Sequence, residues 1–310
     1  MRWPKVIIII LNWNGKDDTT KCLESLKEIR YKNYEIIVVD NCSTDGSASL
    51  FEKEFSHVIL IKNKKNLGFA RGMNIGIEYA LKNKNPDYIL CLNNDTLVDD
   101  FFLTEMIKVA ESDPKIGEVS PKIYDYYKRN VLESAGCDAN LVLRRYRNIG
   151  YKKKDRGQYG KTRVVNALGG VCMLFKREVL ERVRGFDPIY FANCEDLDMC
   201  LRVKKEGYKL VYVPASMVWH KGGASKGGKG SVRYDAIQVY LDARNWPILV
   251  KRNTHFVGFF LFSFFFISIW TPIFFLYCFT RGKPKSIKNH IRGITDFVRN
   301  REPTYVLHLQ

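Results

Sequence analysis

The sequence predicts an α/β fold, a doubly wound sheet followed by membrane-associated helices. Three observations carry this expectation. Short β-branched apolar runs alternate with helical stretches from Lys5 to about Pro121. Those runs end in polar residues that a parallel sheet would deliver to one edge. Residues 255–280 contain no Lys, Arg, Asp or Glu.

The runs VIIIIL (6–11), YEIIVVD (34–40), HVILIK (57–62) and DYILCLNN (87–94) read as parallel strands covered on both faces, where alternation gives way to continuous apolar character. Helical periodicity fills 17–30, 46–55, 69–83 and 99–112, with Asp17, Ser43 or Thr44, and Asp99 near the starts as caps. A repeated βα pattern of this kind winds into an open sheet. The second half is less regular: strands are expected at 164–168, 170–176 and 209–213, and helices at 177–184 and 195–207. Between the halves, RRYRNIGYKKKDRGQYGKTR (144–163) has no apolar period and reads as a loop.

Over 310 residues the chain has 50 Lys+Arg against 33 Asp+Glu, a formal charge of +17, with 46% apolar residues. It is too long for a disulfide-stapled miniprotein and too apolar for disorder. The excess charge is confined. Residues 144–163 hold nine basic groups against Asp155, 221–233 hold four and no acid, 254–310 hold seven against two, and the remainder balances at 30 each. A nucleic-acid binder would show a basic face with stacking aromatics. A neutral body with three basic segments argues for no nucleic acid and for a separate anion at each segment. The eight cysteines lie mostly in apolar runs with no C-x2-C pair, so free buried thiols are expected. The N-terminal apolar run, Val6 to Leu11, is shorter than an export-signal core. The apolar stretch 255–280 is interrupted by Pro272 and basic on both flanks. A hairpin broken at Thr271-Pro272, or a helix lying in the interface, keeps both flanks on one side of a membrane, as a single crossing does not.

Five constellations carry chemistry. Strand 34–40 ends in Asp40, with Asp45 following; an acid there grips a ribose or base edge, or serves an Asx-turn. NLGFARGMNIG (66–76) opens a helix with Gly68, Gly72 and Gly76, which suit either approach to a phosphate or close helix packing. LCLNNDT (90–96) places Asp95 at a strand end with nothing basic beside it, fit for Mg2+ or Mn2+ if substrate phosphate supplies further oxygens, or for a plain turn. FANCEDLDMCLRV (191–203) sets Glu195, Asp196 and Asp198 at a helix start, more acid than the dipole requires. Such crowding can hold a carboxylate base near neutrality. VWHKGGASKGGKG (218–230) ends a strand in His220 before a cationic glycine-rich loop, as a closing metal–diphosphate site would.

In order and spacing, VIIIILNWNG, VVDNCSTDGS, NLGFARGMNIG, LCLNNDT, GGVCMLFKREVLERVRGFDPIYFANCEDLDMCLR and VWHKGGAS resemble glycosyltransferase family 2, near its rhamnosyltransferase-like branch, over residues 5–225. The resemblance implies a GT-A fold, a Rossmann-like doubly wound mixed sheet, over 1–253, with 254–310 as a hydrophobic membrane-associated segment and basic tail. It implies that Asn12, Asn14, Asp40, Asp45, Asn66, Gly68, Arg71, Asn74, Asn94, Gly169 and Gly170 hold a nucleotide-diphosphate sugar. Asp95 and His220 would hold Mg2+ or Mn2+; Asn93 stands at the first position of the usual DxD pair. Asp196 would be the base of an inverting displacement, with Glu195 and Asp198 supporting it. The implied acceptor is a lipid-linked glycan at the cytoplasmic face of the cell membrane, with 255–280 as the anchor. A polyprenyl-phosphate monosaccharide synthase of the same family is the near alternative. A sugar nucleotidyltransferase is disfavoured because LNWNGKDD lacks a basic phosphate loop after the first strand.

Overall fold

The computed structural model describes residues 3–222 and 232–303. At its centre β1 (Val6–Asn12) runs parallel to β2 (Tyr34–Asp40) and β4 (Tyr88–Asn93), and β3 (Ile59–Lys62) extends the set beyond β2. Because strand side chains alternate, β1 feeds two cores. Ile7 and Ile9 join Ile37, Val39, Ile89 and Cys91 on one face, under α3 (Gly68–Asn83), α5 (Arg177–Val183) and α6 (Glu195–Lys205). Val6, Ile8 and Ile10 join Ile36, Val38, Leu90 and Leu92 on the other, under α1 (Lys16–Lys27), α2 (Ser47–Glu54) and α4 (Phe102–Glu111). The helix starts lack side-chain caps. Instead the Asp45 and Asp99 carboxylates accept backbone N–H groups of Ser47 and Phe101, and Asp17 lies in the first turn of α1.

The sheet is mixed and continues past β4 on the side away from β2. Beyond β4, β11 (Cys172–Lys176) is antiparallel to both β4 and β6 (Ile116–Asp125). On the far side of β6 lies β12 (Lys209–His220), parallel to it, with β10 (Arg163–Val165) and β5 (Thr96–Val98) antiparallel to β12. The long β6 escapes sequence reading because Pro121, Glu118 and Lys122 break its apolar pattern. Pro121 is tolerated because the register with β12 shifts between Val213 and Met217, a bulge opposite the proline. The segment 144–163 is not simply a loop. Its start forms β9 (Arg145–Asn148), paired antiparallel with β8 (Cys137–Asn140), while β7 (Leu132–Ser134) pairs with β6. All eight cysteines are free, and Cys42 alone is exposed.

After α7 (Val232–Asn253) comes the apolar stretch, and here the expected break at Thr271-Pro272 is absent. Phe256–Thr280 is one continuous helix, α8 (Phe256–Phe265) passing through a π-helical turn (Phe266–Trp270) into α9 (Thr271–Thr280). A proline inside an α-helix loses one N–H and clashes with the carbonyl four residues back. Widening the preceding turn relieves this: the Thr271 N–H bonds to the Phe266 carbonyl, five residues back. The chain then turns at Gly282 (φ +62°) into α10 (Pro284–Val298), which packs on α7.

Candidate functional site

The carboxyl ends of the parallel strands meet at one edge, with Asn12 in register with Asp40. Asn12 is wholly buried there. Its amide nitrogen lies 2.7 Å from Asp40 Oδ1, 2.8 Å from Ser47 Oγ and 3.0 Å from Ser43 Oγ, while its oxygen accepts the Thr19 hydroxyl at 2.8 Å. The other Asp40 oxygen accepts the Ser43 N–H at 2.9 Å. Asp40 is therefore a buried brace of the β2–α2 turn, with both oxygens engaged by the protein. Asn14 (φ +49°) and Asp45 stand exposed above it. Asn14 accepts the Thr44 N–H, and Asp45 accepts from Lys16 and Ser47, bonds that draw its carboxyl below the ordinary range although partial burial opposes them.

Several residues expected at the donor have structural partners instead. Gly68 (φ +78°) lies so near the Phe191 carbonyl that a Cβ would come within 2.4 Å, and Gly72 and Gly76 press against Leu11 and Ile9 of β1. Packing, not ligand approach, requires these glycines. Asn66 accepts the Gly68 N–H at 2.8 Å. Asn74 clamps both backbone groups of Phe186, at 2.7 and 2.8 Å, and Asn94 donates to Thr19. Arg71 pairs with Glu302 of the C-terminal segment at 2.6 Å.

The next cluster does converge. Asp95 and His220 arrive from separate elements, and His220 Nε2 lies 3.1 Å from Asp95 Oδ1. The opposite ring nitrogen, Nδ1, sits 2.9 and 2.8 Å from the two oxygens of Glu133, a residue that sequence reading missed. Burial alone would lower the His220 pKa, but the bonds to Asp95 and Glu133 push it up to about 10. Asp95 offers the carboxylate oxygen that Mg2+ or Mn2+ prefers, and the facing His220 Nε2 is a second atom of metal-ligand type. Carboxylate–histidine–metal relays use the second nitrogen as Glu133 does. Among the described residues no trio of His, Cys, Asp and Glu forms a closed cage, so a cation here would need oxygens from the substrate.

The acid cluster separates into three roles. Asn193 (φ +67°) and Cys194 (φ +72°) are successive left-handed residues, a strained entry into α6. Asp196 Oδ2 accepts the Gly170 N–H at 3.1 Å and lies 3.0 Å from the Tyr146 hydroxyl, whose proton is shared with the Leu168 carbonyl; Oδ1 accepts the Leu197 N–H at 2.7 Å. Burial nevertheless raises the proton affinity of Asp196. Glu195 is buried with Oε2 unpartnered among the described residues, and burial together with the neighbouring Asp196 pushes it up to about 8. Asp198 is 2% exposed and paired with Arg202 at 2.6 Å, as a helix brace. A Cβ at Gly169 would make only ordinary contacts, 3.8 Å to Cys137 Sγ and 3.9 Å to the Tyr146 hydroxyl. Because the Asn93 N–H bonds to the Val171 carbonyl, Gly170 and its partner Asp196 sit beside the strand end that carries Asp95.

The basic segments spread rather than pool. Arg145 pairs with Asp138, Arg163 stacks on Tyr159 and Tyr212, and Arg144 lies over Trp246 and Phe266. Lys221 bonds to Asp18, while most of the cationic loop 221–233 lies outside the described residues.

A family model described as glycosyl transferase family 2 matches residues 6–184. Among curated proteins, a poly-beta-1,6-N-acetyl-D-glucosamine synthase of Staphylococcus aureus is 28% identical over 218 residues, 69% of this chain and 49% of that protein. The chain thus spans about half the length of such relatives. The low-salt glycan biosynthesis hexosyltransferase Agl10 of Haloferax volcanii is 25% identical, over 77% of this chain and 73% of that one. Among solved structures, a mannosyltransferase from Pyrobaculum calidifontis in complex with GDP-Man and Mn2+ superposes with a TM-score of 0.59 at 16% identity, covering 100% of this chain and 79% of that chain.

Proposed function

The chain belongs to glycosyl transferase family 2 and is a glycosyltransferase of GT-A fold; from that premise we propose an inverting, metal-dependent transfer of a hexose from a nucleotide-diphosphate donor to a lipid-linked glycan acceptor at the cytoplasmic face of the membrane, with Phe256–Thr280 as anchor. One observation carries the mechanism: Asp196 is held by Gly170 and Tyr146 next to the strand end that leads to Asp95, which faces His220 of β12. Asp196 takes the proton from the acceptor hydroxyl as that oxygen attacks the anomeric carbon from the face opposite the diphosphate. Glu195, adjacent to Asp196 at the start of α6, supports the acceptor and the base. Asp95 and His220 would hold Mg2+ or Mn2+, which when bound supplies charge stabilisation to the leaving diphosphate. Glu133 fixes the His220 ring so that Nε2 faces Asp95. Asn14 and Asp45, exposed above the Asn12–Asp40 brace, are the groups this reading offers to the nucleoside.

A thermal-shift screen of UDP-, GDP- and dTDP-sugars, dTDP-rhamnose among them, with and without Mn2+ tests the reading. Stabilisation by one donor, dependent on Mn2+ and lost in Asp95→Ala, is expected; no stabilisation by any donor overturns it. Transfer onto bare polyprenyl phosphate rather than a glycosylated acceptor would assign the chain to the monosaccharide synthases.

A further inference from the structure

The path of the C-terminal helices constrains how the protein meets a bilayer. Phe256–Thr280 has 25 residues, about 37 Å at a rise of ~1.5 Å per residue, enough to cross. Its neighbours decide otherwise. The ring of His290 packs against Phe266, Phe274 and Phe275 with Nε2 3.1 Å from Thr271 Oγ1, and Phe297 meets Phe259. Later residues of α10 thus touch earlier residues of the apolar helix, so α10 returns antiparallel along it. The outer face of α10 carries Lys285, Lys288 and Arg292, all exposed. From the catalytic body, the Arg144 guanidinium sits 5.6 Å from the Phe266 ring, and Phe262 and Phe266 share a core with Trp246 and Leu249. The middle of the helix is therefore in contact with the enzyme and with a cationic helix. A crossing helix would draw these groups into hydrocarbon, where charges are costly.

The described residues leave most of the remaining helix surface uncovered. Phe256, Phe260, Phe264, Ile267, Ile273 and Leu276 are 54–81% exposed, along nearly the whole length. Lys251 stands exposed before this stripe and Arg281, Lys283 and Lys285 after it, a charge pattern complementary to anionic headgroups. The platform is also coupled to the acids, because Asn245 of α7 donates to the carbonyls of Ala192 and Asn193, just ahead of Glu195.

We propose that the Phe256–Thr280 helix lies in the plane of an anionic bilayer, its outward face in the headgroup–acyl boundary and both ends on the side of the enzyme, so that the acid cluster is held at the membrane surface. This rests on the membrane reading above and specifies its topology. The test is labelling of the full chain in a Cys42→Ser background, with Lys251→Cys or Arg281→Cys, by a membrane-impermeant maleimide in sealed cells and in inverted membrane vesicles. Both sites should react in inverted vesicles and neither in cells. Reaction of the two from opposite sides overturns the proposal. In parallel, the purified chain should float with phosphatidylcholine–phosphatidylglycerol vesicles more than with phosphatidylcholine alone, and Phe260→Glu with Ile267→Glu should cut that partition at least about tenfold. Failure to float, or a change of oligomeric state in that double variant without loss of flotation, also overturns it, the latter because the stripe would then cover a second copy. Neither readout needs turnover, so a failure here is distinct from a failure of the transferase reading.

Discussion

The two halves of the site are built on opposite terms. Around Asn12 and Asp40 nearly every polar atom is buried and matched by another, and the left-handed residues nearby, Asn14 and Cys42, lie in the turns beyond the two strand ends. Around Glu195 and Asp196 two successive residues are left-handed, one buried carboxylate oxygen has no partner, and proton affinities are raised. A satisfied network fixes shape; a strained and underpartnered one holds chemical potential for a substrate to use. The contrast predicts that substitutions in the first half cost stability and those in the second cost turnover.

The largest effect should come from Asp196→Asn. Removal of a general base typically costs 10²–10⁴-fold in rate. Donor-induced thermal stabilisation should stay near normal, since the Asn side chain keeps an oxygen that can accept the Gly170 N–H. More than a tenth of normal turnover would place the base elsewhere. Asn12→Ala is the counterpart. It strips partners from Asp40, Thr19 and Ser47 at once, and each buried polar group left unpaired costs roughly 1–3 kcal/mol. A urea midpoint lowered by less than the equivalent of about 1 kcal/mol would mean that water replaces the amide and that the network is not a brace.

The same contrast explains what was legible in sequence. The β1–β4 core and the flanking helices follow from local periodicity, so Val6 to Leu11 and its successors are readable without a structure. The places of Asp196, Asp95 and His220 at or next to element ends were readable, because the motif around each marks a strand or helix boundary. Glu133, Tyr146 and Glu118 were not. Glu133 reaches His220 across 87 residues of chain and Tyr146 reaches Asp196 across 50, from strands hidden in polar or basic stretches. The structural partners of Gly68 and Asn74 were hidden for a related reason: a glycine or carboxamide near a strand end can equally serve Phe191 or Phe186, and only the fold shows that it does.

Glu118 supplies a prediction of intermediate size. It is wholly buried in β6 beside Cys200, and burial pushes its carboxyl up to about 8. Its folded pKa lies above the unfolded value, so its contribution to stability is complete below about 4.5, declines as pH rises, and is lost once pH passes about 8. Glu118→Gln keeps the shape without the titration. Unfolding of this variant followed by denaturant at several pH values should show a shallower decline between about 5 and 8, and higher stability than the parent above pH 8, by up to a few kcal/mol. Equal slopes would mean that Glu118 ionises freely in the folded chain.

The smallest effect sharpens the comparison most. Tyr146→Phe removes a single hydroxyl 3.0 Å from Asp196 Oδ2 and leaves the Gly170 and Leu197 N–H bonds in place. That hydroxyl favours the ionised carboxylate, so its loss should raise the Asp196 pKa further above its ordinary value. The base must be deprotonated to act, and the acidic limb of the pH–rate profile should therefore move to higher pH. Turnover at neutral pH should fall several-fold, then recover toward the parent value as pH rises. A uniform loss at every pH would instead mean that Tyr146 only orients the carboxylate. An unchanged profile would mean that the Leu168 carbonyl alone takes its proton, at 2.9 Å, and that strain at Asn193 and Cys194 sets the base without help from the hairpin.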